Sequence, residues 1–128
     1  MLRGIVSAFK ARGHKKIELA GKVSTSPTGI TIERFKEGAK KQTVAWESIE
    51  SATAFKRDLF AYDLICVAIR IDSGIAVEID ERMEGWQEFC EGLEAYLPNS
   101  LVPNEWLDKV MHPALKPSTT IIYSRSTS

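Results

Sequence analysis

An α+β fold, with a curled antiparallel sheet closed by one long amphipathic helix, is what this sequence predicts. Two changes of period carry that prediction. From residue 16 to residue 80 apolar side chains recur every second position, interrupted by turn-forming clusters. From Met83 onward the spacing becomes that of a helix. The composition agrees with a globular chain: 128 residues, 44% hydrophobic and 27% charged.

Each element follows from its own residues. Ile17, Leu19, Gly21 and Val23 alternate with Glu18, Ala20 and Lys22, which predicts a first strand. Ser26-Pro27-Thr28-Gly29 turns the chain into a second strand, Ile30 to Phe35. After a turn at Glu37-Gly38-Ala39-Lys40, Thr43 to Trp46 and Ile49 to Phe55 form the next two. Leu64 to Ile71 is apolar on both faces, as a covered central strand requires. Asp72-Ser73-Gly74 then reverses the chain into Ile75, Val77 and Ile79. Met83, Trp86, Cys90, Leu93 and Leu97, widened by Phe89 and Tyr96, make the stripe of the long helix, and Pro98 ends it. Short helices are expected at the two ends. One covers residues 2 to 12, with Leu2, Ile5, Val6 and Phe9 on one face, and one runs from about Asn104 to Met111. Ile121-Ile122-Tyr123 reads as an edge strand. The expected organisation is a single domain over residues 1–128, with its core at about 16–97 and a C-terminal extension at 98–128.

Strands in succession followed by one helix must curl to enclose a core. From Ile30 to Leu97 the pattern resembles the bacterial pleckstrin-homology-like (PH or GRAM-type) superfold. The resemblance is carried by Ile30-Thr31-Ile32, by Val44-Ala45-Trp46-Glu47-Ser48-Ile49, by the hairpin at Asp72-Ser73-Gly74 and by the helix with Trp86. It implies a small barrel or sandwich plugged by the helix. Relatives of this kind often bind phosphoinositides through basic residues near the first hairpin. Here only Lys22 and Arg34 flank that hairpin, so the lipid site does not carry over.

Charge narrows the function classes. Lys plus Arg and Asp plus Glu number 17 each, so no global field steers the chain toward nucleic acid. The charges are segregated, however. Arg3, Lys10, Arg12, Lys15 and Lys16 precede the first acid, Glu18. Glu78 to Glu94 is acidic, relieved only by Arg82. The acid-free start would suit a mitochondrial presequence, but it lacks the apolar core of a secretory signal, and no apolar run has the length of a membrane span. Cytoplasm is the expected location.

Catalytic chemistry finds no foothold. His14 and His112 are not spaced to work with Cys66 or Cys90, and Cys90 sits on the apolar helix stripe as a small hydrophobe. Asp58 and Asp63 bracket a loop without a third metal ligand. No phosphate-cradling glycine loop is present. No catalytic residue, metal or cofactor is therefore expected, and the chain is read as a non-enzyme.

Three surfaces are candidates for interaction. Glu84, Glu88 and Glu91 form a ridge opposite the apolar stripe; like charges at this spacing cost a few tenths of a kcal/mol per pair. A solvated face is the plainer reading, and a basic partner surface the alternative. The segment Arg57 to Asp63 carries Phe60 and Tyr62, which are contact residues if it is a hairpin tip and core or edge residues if the strands extend through it. The N-terminal segment either lies on a membrane or packs its apolar side on the domain or on a second copy, and packing is preferred. The expected function is a PH-like interaction or scaffold module binding a protein partner or itself. A peripheral membrane or lipid-binding domain is the alternative, followed by an immunity- or inhibitor-type protein.

Overall fold

The computed structural model describes residues 21–35, 40–59, 62–112 and 118–125. Seven strands form two antiparallel sheets. The first holds β1 (Gly21–Ser26), β2 (Gly29–Arg34) and β3 (Lys40–Ala45) in the order β1-β2-β3. The second holds β4 (Ile49–Asp58), β5 (Asp63–Ile71), β6 (Ala76–Asp80) and β7 (Thr119–Ser124) in the order β6-β5-β4-β7. Among the described residues there are two short α-helices, α1 (Trp86–Tyr96) and α2 (Pro103–Met111). The expected N-terminal helix and residues Ile17 to Ala20 of the first strand lie outside the described residues.

This corrects the expected fold class. Among the described residues neither sheet is curled or closed, and no single long helix plugs one. The ladder breaks between β3 and β4, where Trp46–Ser48 forms a turn of 3-10 helix instead of a strand crossing. Chain that would have continued one sheet therefore starts a second. The helices share the covering: α1 packs on β1, while α2 packs on β4 and β7.

The long helix is also shorter than its periodicity predicts. Gly85 occupies the left-handed region at φ +89°, which ends any helix running back through it. Glu84 is drawn into an extended bridge with β1, its N–H donating to Gly21 O at 2.9 Å and its carbonyl accepting from Val23 N at 2.8 Å. Met83 to Gly85, which look helical by spacing, thus lie outside the helix, and Glu84 joins the sheet edge. The C-terminal stop is at Leu97, extended at φ −108°, immediately before Pro98.

Between these layers lies the core. Ile30, Ile32, Ile65, Val67, Ile69, Phe89, Leu93 and Trp106 are fully or almost fully buried, as are Trp86 and Cys90. Trp86 and Trp106 meet edge to face, their ring centroids 6.3 Å apart at 89°. β5 is an interior strand between β4 and β6, and side chains on both its faces are buried from Asp63 to Val67, in keeping with its apolar run.

Candidate binding groove

The most structured surface feature begins at Trp46. Its 3-10 turn follows β3, and its indole Nε1 donates to Ser26 O at 2.7 Å, fixing the ring beside the end of α1. Tyr96, in the last turn of α1, lies against it with ring centroids 5.1 Å apart and an interplanar angle of 31°. α1 is held in place because Gly92 lets the helix approach β1. A Cβ there would meet the Thr25 side chain at 2.9 Å.

Beyond Leu97 the chain turns at Asn99, a non-glycine residue in the left-handed region at φ +62°. The loop is tied back at both sides. Ser100 Oγ donates to Leu93 O at 3.2 Å, and Leu101 N donates to Ile122 O at 2.9 Å. This brings the loop alongside β7, the edge strand of the second sheet. Arg125 closes the far end by donating to Glu47 O at 2.7 Å and pairing with Asp72.

Three hollows result, and they share walls. One, of about 290 Å³, lies among Thr25, Glu88, Glu91, Gly92, Ala95 and Tyr96. A second, of about 440 Å³, includes Trp46, Tyr96, Pro98, Tyr123 and Arg125. A third, of about 530 Å³, runs between Pro98, Leu101 and Ile121 to Arg125. Tyr96 joins the first to the second; Pro98, Tyr123 and Arg125 join the second to the third. Together they form one path that is acidic at one end, aromatic in the middle and mixed at the other, where Leu101 and Ile121 sit beside Asn99, Ser124 and Arg125. Ile121 is 62% exposed on that path and Tyr96 37%.

The expected interaction residues fall differently. Glu88 and Glu91 are exposed and border the acidic end. Glu84 is exposed but stands before the helix, its backbone engaged with β1, so it is not part of a helical ridge. The strands do extend into the segment Arg57 to Asp63: Asp58 pairs with Asp63 in the ladder, and Leu59 N donates to Tyr62 O at 2.9 Å. Tyr62 is half-buried beside that turn, away from the residues bordering the groove. Phe60 lies outside the described residues. Trp46 and Arg125 are not singled out by the sequence as interaction residues, whereas Tyr123 is, as part of an edge segment. The legible signal was Ile121-Ile122-Tyr123, an apolar strand segment stranded beyond the main core.

A separate polar cluster surrounds β5 and β6. Arg82 forks onto Asp80 with contacts of 3.1 and 3.0 Å, and Arg57 pairs with Glu78, whose carbonyl also accepts from Arg34 at 2.6 Å. Burial pushes the Cys66 thiol up to about 12, against the smaller opposing pull of Arg57. Cys90 is raised well above its ordinary value by the same cause. Both thiols are thereby held protonated and poorly nucleophilic. Among the described residues no group of three or more His, Cys, Asp and Glu side chains is arranged to hold a metal ion, and no helix is long and apolar enough to cross a membrane.

No family model, curated protein or solved structure matches this chain. The resemblance to pleckstrin-homology-like domains stands on the sequence pattern of residues 30–97 alone.

Proposed function

We propose that this chain is a non-enzymatic, cytoplasmic interaction module that binds a polypeptide segment along the groove between α1 and β7. The observation that carries this reading is the continuous path from Glu88 and Glu91, over Tyr96 and Trp46, to Ile121. Its order of chemistry suits a segment that is basic where it meets Glu88 and Glu91 and carries an apolar side chain for Ile121 at the other end. Aromatic side chains of limited flexibility in the middle supply contact area at small entropic cost. No basic residue occurs between Met83 and Asp108 to neutralise the acidic end.

The test is a titration with a labelled synthetic peptide whose apolar half is followed by a basic half. Saturable binding is expected, weakened about tenfold, or ~1.4 kcal/mol, by Tyr96→Ala. Ile121→Asp and Glu88→Lys should weaken it independently. Equal binding of a peptide with an acidic half, or preference for anionic vesicles over either peptide, would overturn the reading.

A further inference from the structure

The charges bordering the groove are ordered by sign. Glu88 and Glu91 border the first hollow, and Glu47 and Arg125 together border the middle one. Among the described residues, Arg125 is the one charged side chain bordering the last, where it stands with Asn99 and Ser124 beside the apolar Leu101 and Ile121. We infer that the groove takes the carboxyl-terminal segment of a partner polypeptide. Its free terminal carboxylate lies at Arg125, its apolar last side chain lies against Leu101 and Ile121, and basic residues upstream meet Glu88 and Glu91. This deepens, and rests on, the binding reading above, to which it adds a direction and a chain end.

Arg125 can hold a carboxylate without giving up its place in the fold. Its Nη1 donates to Glu47 O at 2.7 Å and its Nη2 pairs with Asp72, whereas a guanidinium carries five N–H donors in a planar fork. Asp72 borders none of the three hollows, so it pairs with Arg125 without lining the groove. Glu47 borders the middle hollow, so a ligand carboxylate is repelled there and favoured in the last one, which no acid borders. That last hollow offers two chemistries side by side. A terminal residue answers both from one Cα, with a carboxylate and an apolar side chain, whereas an internal Asp or Glu brings the carboxylate alone. The walls also meet there: Leu101 N donates to Ile122 O at 2.9 Å, joining the loop that carries Pro98 and Asn99 to β7. A chain entering over Tyr96 runs up against this bridge, which suits a chain end. The opposite direction would set an ammonium at Arg125 and a carboxylate at the two glutamates, like charge on like at both ends.

Titration of the full chain with a peptide labelled at a central residue, basic residues first and a free carboxylate on a terminal leucine, tests this. Its relatives for comparison are the carboxamide, the same residues in reverse order, and a carboxamide ending in glutamate. The free acid is expected to bind roughly three- to fivefold more tightly than any of them, the scale of a part-exposed ion pair. That advantage should shrink as salt is raised. In Arg125→Gln, whose amide keeps an N–H for Glu47 O, the ratio of free-acid to carboxamide affinity should fall to about one. A merely structural role for Arg125 would weaken both peptides alike, keep their ratio, and overturn the inference. Equal binding of the free acid and the carboxamide, or of the free acid and the reversed peptide, would sink the carboxyl-terminal assignment and leave the groove's binding role standing. A glutamate-ending carboxamide that matched the free acid would move the carboxylate to a side chain and sink it likewise. Binding of none of the four peptides would sink the binding role itself, and the inference with it.

Discussion

The Lys56 ammonium lies 3.6 Å from the Asp63 carboxylate, with both side chains buried, and donates to Met111 O at 3.0 Å. One cation therefore ties β4 to β5 and to the last turn of α2. This contact adds to the β4–β7 ladder in holding the C-terminal extension on the second sheet, and Lys56 N reinforces it by donating to Ser118 O at 3.1 Å. Replacing Lys56 with Met keeps the stem but leaves a buried carboxylate without this partner. A loss of about 3 kcal/mol is expected from urea unfolding. Lys56→Met with Asp63→Leu should recover part of it, since an apolar pair removes the stranded charge. A double variant less stable than the single would contradict this account.

Two glycines share a backbone conformation and differ in surroundings. Gly85 has φ +89°, and a Cβ there would stand 2.0 Å from Val23 O; Gly74 has φ +88° with nothing within 4 Å. Gly74→Ala is expected to lose only the left-handed penalty, about 1 kcal/mol. Gly85→Ala adds a backbone clash that must open the β1–Glu84 bridge, and should lose at least ~2 kcal/mol more. Thermal unfolding of the two variants gives the comparison directly.

The thiols make stability depend on pH on the alkaline side. Cys66 titrates near 12 when folded, against an ordinary value of 9.0. Between those values the unfolded chain releases a proton that the native chain retains. Stability is therefore full below about pH 9 and falls as pH rises toward 12, by at most ~1.4 kcal/mol per pH unit for this group. Urea midpoints at pH 8 and pH 10.5 should converge in Cys66→Ala relative to the parent chain. Native Cys90, buried in the α1 stripe, should react with an alkylating reagent only after denaturation.

β7 is an edge strand without Lys, Pro or acidic residues, and its exposed Ile121 leaves it open to association. If copies associate through this edge, sedimentation should show a concentration-dependent species that is nearly insensitive to salt and is removed by Ile121→Lys. If the acidic end of α1 engages basic residues of another copy, the species should instead weaken as salt rises. A monomer under both conditions leaves the groove for a foreign segment.

Much of the secondary structure was legible because each element's period is written in consecutive residues. Leu64 to Ile71 read as a doubly covered strand from its apolar run, and it lies between β4 and β6. The stripe from Trp86 to Leu97 read as helix for the same reason. Met83 to Gly85 did not, since spacing alone cannot tell a helical turn from a bridge whose partner, β1, lies about sixty residues earlier. The groove was less legible still. Glu88 and Glu91 stood out by their charge, but Trp46 looked like one more strand residue. Its pairing with Tyr96 depends on a bond to Ser26 and on the end of a helix far along the chain.

By itself, the sequence determined what periodicity and local chemistry control: antiparallel strands, a helix stripe with buried Trp86, Cys90 and Leu93, a polar turn at Asp72-Ser73-Gly74, and a separation of basic from acidic residues. Only the tertiary structure decided that the strands divide into two open sheets, that β7 returns to the edge beside β4, and that Glu88, Tyr96, Trp46 and Ile121 share one path. The physical reason is range. Periodicity acts over a few residues, whereas sheet order and groove walls arise from hydrogen bonds and packing between segments tens of residues apart, such as Leu101 N to Ile122 O and Glu84 N to Gly21 O.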